Sequence, residues 1–160
     1  RHGRHHGGQI GIAPAHARQA LAERFPALDR GEAGVDAAFG VDTPEACAEA
    51  ILAMGPKLVV VTLGGKGCFF SDGSRSGYLP SYPDVKVVET TGAGDTFVAA
   101  TLAGLAKRIL AGDPNAFAAD EALVRILTQA NAAGSLACTK LGAIPSMPTT
   151  AEVEAILASH

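Results

Sequence analysis

Residues 85–97 read VKVVETTGAGDTF, and the character of the chain changes twice within them. The β-branched run at 85–88 predicts a short strand. Small residues follow from Thr90 to Gly94, and an alanine-rich apolar stretch from Phe97 to Leu110 is long enough for a helix. The sequence therefore predicts a strand, a Gly-Ala-Gly turn and a helix that begins near Ala93.

The predicted turn has the properties of an anion site. Unpaired backbone N–H groups at a helix N-terminus point outward, and the helix dipole adds partial positive charge there. Phosphate is the usual anion at such an end. Because Gly92, Ala93 and Gly94 carry no large side chain, a ligand could touch the backbone. The residues alone leave two interpretations open, a phosphate site and an ordinary helix start with Asp95 in its first turn.

Asp95 needs a separate reason in the first interpretation, because a carboxylate repels phosphate. It can accept a proton from a hydroxyl group that attacks a phosphoryl group. Asp95 is then the candidate general base, and the N–H groups of Gly92, Ala93 and Gly94 are the candidate stabilisers of the transferring phosphoryl group.

The run Glu89–Phe97 resembles the C-terminal signature of the ribokinase-like (pfkB-type) sugar kinases, Asp-Thr-x-Gly-Ala-Gly-Asp, with Glu89 where the family mostly has Asp. The resemblance implies the C-terminal portion of a three-layer α/β/α sandwich. It also implies ATP-dependent transfer of the γ-phosphoryl group to a sugar hydroxyl, with Mg²⁺ bridging the phosphates. Residues 130–148 look most like the fructokinase branch, which implies fructose or a related ketose as acceptor.

Three other functions remain open beside the sugar kinase. A nucleoside kinase of the same family shares these motifs, since the acceptor residues lie elsewhere in the family's chain. A truncated, non-catalytic remnant would bind nucleotide alone. A helical adaptor would use the glycine turns only structurally.

A second glycine-rich turn follows the apolar run at 57–62, which predicts a strand covered on both faces, as in a parallel sheet. The turn is not a Walker P-loop, because Lys66 is followed by Gly67. By itself it is either an ordinary turn or a phosphate contact. Thr62–Gly67 is similar, however, to the Thr-x-Gly-x-x-Gly segment that holds ATP in the family. The resemblance implies nucleotide contacts at Thr62, Gly64, Lys66 and Gly67.

Asn131 lies within a predicted apolar helix at 118–138. Burial preferences favour a surface or locally bonded asparagine, whereas the resemblance places Asn131 in the adenine pocket. The segment after this helix resembles the family's closing loop, which in many members helps to form a monovalent-cation site, most of whose ligands are backbone carbonyls. The implied K⁺ site comprises Glu89, Thr91, Ala137, Lys140, Gly142 and Ser146.

Other segments have local signatures of their own. Thr43 and Pro44 predict the start of a helix whose apolar stripe runs from Ala46 to Met54. Residues 68–79 predict a hairpin around Asp72-Gly73-Ser74. Thr149 and Glu152 form a capping-box pattern for a last helix that reaches residue 158.

The totals exclude several function classes. The chain has 160 residues, 48% of them hydrophobic, and a net charge of −3, which predicts one α/β domain that binds no nucleic acid. No apolar run is long enough to span a bilayer, and the N-terminus has no signal-peptide pattern. Three well-separated cysteines predict reduced thiols and a cytoplasmic protein.

Residues 1–38 carry no assigned motif, and we expect a disordered or non-family segment. A metal site at His2, His5 and His6 is the alternative. The resemblance covers about residues 39–157, so the domain boundary is expected near residue 39. The family's sugar-binding half and its Asn-x-x-Glu motif are not found in this sequence. We therefore hypothesise a C-terminal half whose upstream reading frame is broken or misannotated. We expect its uncovered sheet surface to cause poor solubility or self-association, for example as a homodimer.

Overall fold

The computed structural model describes residues 43–82 and 85–159. The predictions for residues 1–38, including the histidine site, lie outside them. The elements in chain order are α1 Pro44–Leu52, β1 Val59–Thr62, a 3₁₀ turn Gly64–Lys66, β2 Cys68–Ser71, β3 Ser76–Leu79, α2 Ala93–Leu110, α3 Glu121–Ala137 and α4 Thr150–Ala158. No helix among these residues is long and apolar enough to cross a membrane.

The three strands form one antiparallel sheet in the order β1-β2-β3, with Val59 opposite Ser71 and Phe70 opposite Gly77. The predicted hairpin of β2 and β3 is confirmed. The parallel pairing predicted for the first strand is wrong within the described part of the chain, because the 3₁₀ turn brings the chain straight back. Burial along β1 alternates, and Thr62 is exposed.

Gly67 fixes the geometry at the end of the 3₁₀ turn. Its φ angle of +98° is one that side chains rarely allow. A Cβ atom on Gly67 would lie 2.0 Å from the Leu79 carbonyl oxygen, so β3 ends directly against it. The Leu63 N–H donates to the Gly67 carbonyl at 2.8 Å and closes the turn.

The pair α2 and α3 carries most of the core. Phe97 and Leu105 of α2 pack in one cluster with Leu123 and Leu127 of α3. Full burial of a leucine side chain is worth about 1.5–3 kcal/mol. The predicted bounds of α2 are confirmed, whereas α3 begins three residues later than predicted, because the carboxylate of Asp120 accepts from the Leu123 N–H and caps it.

Two further predictions are corrected by the structure. Residues 85–88 form no strand. Instead the Val88 and Glu89 N–H groups both donate to the Cys138 carbonyl, at 2.7 and 3.2 Å, which holds this segment against the end of α3. The stripe predicted for α1 is also wrong, since Cys47 and Ala48 are its buried residues and Met54 is exposed. The capping box of α4 is confirmed.

Helix α2 leaves an apolar stripe uncovered among the described residues. Val98, Leu102 and Ile109 share one side of the helix and are 51%, 60% and 51% exposed. Such a surface favours association with another chain or segment. Homodimerisation stays a prediction.

Gly65, in the middle of the 3₁₀ turn, and Gly67, directly after it, give a matched test of its geometry. Gly67→Ala should lower the free energy of unfolding by at least about 2 kcal/mol, because the methyl group meets the Leu79 carbonyl in a strained conformation. Gly65→Ala should change it by less than about 0.5 kcal/mol, since its Cβ would have no neighbour within 4 Å. Urea unfolding of both variants measures this, and equal losses would contradict it.

Candidate nucleotide-binding site

A cavity of about 520 Å³ opens where the 3₁₀ turn, the first turn of α2 and the second half of α3 meet. It brings together most of the residues that are predicted to contact the nucleotide, although they come from three separate stretches of the chain. No charged side chain lines it. Its predicted lining residues are Thr62, Gly64, Gly67, Ala93, Gly94 and Asn131.

The first turn of α2 presents free backbone donors to this region. Gly92 is the N-cap residue, with φ of 83° and no side-chain cap. The Ala93 N–H already donates to the Thr90 carbonyl at 3.2 Å, and the Thr96 N–H to the Gly92 carbonyl at 2.9 Å. Within the described part of the chain, the N–H groups of Gly92, Gly94 and Asp95 have no partner. The donors therefore differ from the predicted set, with Asp95 replacing Ala93.

Gly94 leaves room for a ligand. It lines the cavity, and a Cβ atom built on it would meet nothing within 4 Å. By contrast, Gly134 of α3 lies close to this turn, because its Cβ would come within 3.2 Å of the Ala93 carbonyl oxygen. The first turn of α2 is thus tightly packed against Gly134 and open at Gly94, and both glycines line the cavity.

Asp95 is exposed and lies beyond the residues that line the cavity. Its carboxylate makes no hydrogen bond or ion pair with any described residue. The side chain is therefore free to accept a proton from a group that approaches from solvent. Lys66 is also exposed and outside the lining, unlike its neighbours Gly65 and Gly67.

Asn131 is buried, with 7% of its surface exposed, so the interpretation as a surface residue is wrong. Its Nδ2 donates to the Pro80 carbonyl at 3.1 Å and lies 3.6 Å from Cys68 Sγ. Because a carbonyl can only accept, the amide nitrogen must face Pro80. The Oδ1 atom has no partner among the described residues and remains an available acceptor. Burial raises the pKa of the Cys68 thiol, which stays neutral.

Glu89 joins the turn to the closing loop, residues 139–147. Its carboxylate accepts from the Gly142 N–H at 2.8 Å and from the Thr91 hydroxyl at 2.7 Å. These bonds, that from Gly142 first, hold the pKa of Glu89 below its ordinary value. A Cβ on Gly92 would lie 3.0 Å from Ala143, so the closing loop rests on the anion turn.

Three further residues of the implied cation site, Ser146, Lys140 and Ala137, have surroundings of their own. Ser146 is buried, and its hydroxyl donates to the Ala143 carbonyl at 2.9 Å. The Lys140 ammonium group pairs with Glu152 at 3.0 Å. Ala137 is buried in the last turn of α3. The described residues contain no cluster of three or more His, Cys, Asp or Glu side chains.

Sequence reasoning missed much of the cavity wall. Ser81, Tyr82, Val85 and Val87 line it from the irregular segment after β3, and Ser135 and Cys138 line it from the end of α3. An irregular segment has no periodic pattern that indicates which side chains face a ligand. One tie is visible only in the structure, the Ser81 hydroxyl donating to the Gly65 carbonyl at 2.6 Å.

Comparison with known proteins decides the family. The family model described as pfkB family carbohydrate kinase matches residues 30–150. The chain belongs to the pfkB family of carbohydrate kinases. Its match begins before the boundary expected at residue 39, within the residues that the structure leaves undescribed.

The relatives of this pfkB-family chain include proteins named as fructokinases and as ribokinases. Fructokinase-1 of Zea mays is 45% identical over 97 residues, which is 61% of this chain and 28% of that protein. A putative ribokinase II from E. coli, in complex with ATP and Mg²⁺, gives a TM-score of 0.60 at 32% identity over 75% of this chain and 35% of that one. Fructokinase from Vibrio cholerae, with fructose, ADP and calcium bound, gives 0.62 at 30% identity over 77% and 38%.

These comparisons show that the pfkB-family chain has the ribokinase-like α/β fold in part. It spans less than a third of the maize protein and less than two fifths of the two kinases of known structure. The residues that would complete the family's fold are therefore outside the matched length.

The Glu89 contact predicts a pH dependence with a definite sign. Since the folded pKa of Glu89 lies below its ordinary value of 4.5, its stabilisation is fully present above that pH and is lost as pH falls through the lower folded value. Glu89→Gln should lower the melting temperature at pH 7 and reduce its decline between pH 5 and pH 3.

The control is Glu49→Gln, whose exposed carboxylate makes no hydrogen bond among the described residues. Calorimetric melting curves of the three proteins over this pH range measure the effect. Parallel curves for Glu89→Gln and the unaltered chain would contradict the assigned contact.

Proposed function

We propose that this chain is the nucleotide-binding part of an ATP-dependent sugar kinase, with fructose or a related ketose as the acceptor. The observation that carries the proposal is the uncapped N-terminus of α2, which opens beside a cavity without charged side chains. Helix ends of this kind bind phosphate through backbone N–H groups. The fructokinase likeness supports the choice of acceptor.

The phosphate chain of ATP fits the α2 end of the cavity. The N–H groups of Gly92, Gly94 and Asp95 can donate to a transferring phosphoryl group without a change in the backbone. Bound Mg²⁺ would supply charge neutralisation on the phosphates. The 3₁₀ turn offers the neutral Thr62, Gly64 and Gly67, and Lys66 stands outside the lining as a solvent-side cation.

The nucleoside fits the part of the cavity beside α3. Asn131 Oδ1 is an unpaired acceptor that suits the exocyclic amino group of adenine. Its Nδ2 is already engaged with Pro80, which fixes the orientation of the amide. Val85, Val87 and Phe97 supply apolar wall for the base.

Asp95 is the proposed general base. The acceptor hydroxyl oxygen attacks the γ-phosphorus, its proton passes to the Asp95 carboxylate, and the bond to the β-phosphate oxygen breaks to release ADP. The carboxylate is exposed and unpaired within the described residues, so it is accessible to an acceptor that arrives from outside the nucleotide cavity.

A potassium ion is proposed beside the anion turn. The residues present carry hard oxygen groups of the kind that a monovalent cation prefers, namely the Glu89 carboxylate and the backbone carbonyls of Ala137, Lys140 and Gly142. The Gly142 carbonyl already accepts from the Ser146 N–H at 3.1 Å, so it would share its oxygen with the ion. The Lys140 ammonium group is held by Glu152, so it does not occupy this place itself. Bound K⁺ would add positive charge near the phosphates.

A non-catalytic nucleotide-binding protein is the second candidate. It is favoured by the position of Asp95 outside the cavity lining. ATP binding by calorimetry without ADP release across a panel of ketoses and nucleosides would support it. Sugar-dependent ADP release by this chain would exclude it.

Gly94→Ala should change the stability of the fold and the affinity for ATP in opposite directions. Alanine in this helical turn should stabilise the fold by about 0.5–1 kcal/mol, because Gly94 has no neighbour within 4 Å and glycine is the poorer helix former. The same methyl group should weaken ATP binding at least about 10-fold by keeping the phosphate from the backbone. Calorimetric titration and thermal melting measure both, and unchanged ATP affinity would contradict the phosphate site.

The base assignment requires a complete enzyme. A chimera in which residues 43–159 replace the matching segment of the Vibrio cholerae fructokinase provides one. Asp95→Asn in the chimera should lower kcat by about 10²- to 10⁴-fold, since the amide cannot accept the hydroxyl proton, while the Kd for ATP stays within about 2-fold. Coupled ADP assays and calorimetry measure this, and an unchanged kcat would remove Asp95 from the role.

A further inference from the structure

We propose that Tyr82 is a wall of the nucleoside subsite and that helix α4 sets its position, so that a helix outside the cavity tunes nucleotide affinity. The inference rests on the proposed nucleotide binding and adds a residue and an element to it. No sequence motif predicts a binding role for Tyr82 or for α4.

Tyr82 takes part in two regions of the structure. Tyr82 lines the cavity, and its hydroxyl donates to the Ile156 carbonyl in α4, 74 residues later in the chain. No residue of α4 lines this cavity. The Tyr82 hydroxyl therefore connects a residue of the cavity wall to a helix whose residues do not line the cavity.

The Ile156 carbonyl is a suitable anchor for a hydroxyl donor. It lies in the last turn of α4, where the helix dipole adds partial negative charge. The Ser159 N–H and hydroxyl also donate to it, at 3.3 and 2.7 Å. On the other side, the neighbouring Ser81 hydroxyl is bonded to Gly65 of the 3₁₀ turn. The segment that carries Tyr82 is therefore tied to two elements.

The first turn of α4 is held by independent contacts. The Glu152 carboxylate accepts from the Thr149 N–H at 2.7 Å and pairs with Lys140 of the closing loop at 3.0 Å. The Thr149 N–H, with Lys140 next, lowers the pKa of Glu152 to about 2. Helix α4 thus connects the closing loop at one end to the cavity wall at the other.

A tyrosine ring held in this way suits a nucleobase. A tyrosine ring can present a flat apolar face to a base while the Ile156 carbonyl satisfies its hydroxyl. Removal of the hydroxyl alone keeps the ring but frees it from α4. Removal of the Tyr82 hydroxyl should therefore weaken the binding of ligands that carry a base and leave the binding of phosphate-only ligands unchanged.

The test uses the full chain and its two tyrosines, Tyr78 and Tyr82, in the absence of tryptophan. Tyr78 is the matched control, because its hydroxyl also makes one hydrogen bond, to Glu45 at 2.7 Å, but it lies outside the cavity. Calorimetry on the unaltered chain, Tyr82→Phe and Tyr78→Phe would measure Kd for ATP, ADP and inorganic tripolyphosphate.

We expect Tyr82→Phe to raise Kd for ATP and ADP by about 3- to 10-fold, the range for one lost hydrogen bond, and to leave tripolyphosphate unchanged. Tyr78→Phe should change none of the three. In Tyr78→Phe the fluorescence comes from Tyr82 alone, and it should change as ATP saturates the site. In Tyr82→Phe the fluorescence comes from Tyr78 alone, and it should not change. The Tyr78 signal also corrects for absorption of light by ATP.

Each other result is decisive. Equal ATP affinity in Tyr82→Phe and the unaltered chain, equal losses for ATP and tripolyphosphate, or a Tyr82 signal that ignores ATP would overturn the role of Tyr82 while nucleotide binding stands. If the unaltered chain gives no heat with ATP at millimolar concentration, the proposed function fails and this inference fails with it.

Discussion

The free backbone N–H groups at the start of α2 are the constraint on which the rest of the structure depends. A helix end normally satisfies such groups with a side-chain cap, as Asp120 and Thr149 do for α3 and α4. At α2 the cap residue is Gly92, in a left-handed conformation, and no side chain takes part. Solvent or a bound anion must satisfy these donors, and the cavity beside Gly94 gives an anion access.

The surrounding contacts hold this end open. Glu89 fixes Gly142 and Thr91, the closing loop rests on Gly92, and α3 approaches the turn closely at Gly134. Apart from the local Glu89–Thr91 bond, these contacts join parts of the chain about 40 to 50 residues apart. Since backbone donors can bind an anion without reorganisation only if their positions are already set, this packing is part of the binding site.

Local signals in the sequence predict the local structure well. The bounds of α2, the hairpin around Asp72 and the capping box at Thr149 each depend on residues within one or two turns of chain. The prediction was wrong for one segment that bonds a distant partner and for one strand that is followed directly by the 3₁₀ turn. Residues 85–88 form no strand, because the Val88 and Glu89 N–H groups donate to the Cys138 carbonyl. Strand β1 pairs antiparallel with β2, because the 3₁₀ turn between them reverses the chain.

The candidate site divides in the same way. The glycine turns and Asn131 are found from motifs, and the structure places them around one cavity. The identity of the free donors is not predictable, because the engagement of the Ala93 N–H by Thr90 depends on the conformation of the turn. Tyr82 and its neighbours belong to an irregular segment, so only tertiary structure reveals that they form a wall.

Amide NMR of the isotope-labelled chain during titration with ATP and Mg²⁺ tests the central claim most directly. The account predicts the largest shifts at the N–H groups of Gly92, Gly94 and Asp95, with a smaller shift at Ala93, whose hydrogen is already bonded within the protein. ATP binding that leaves these three amides unchanged while other signals move would contradict it.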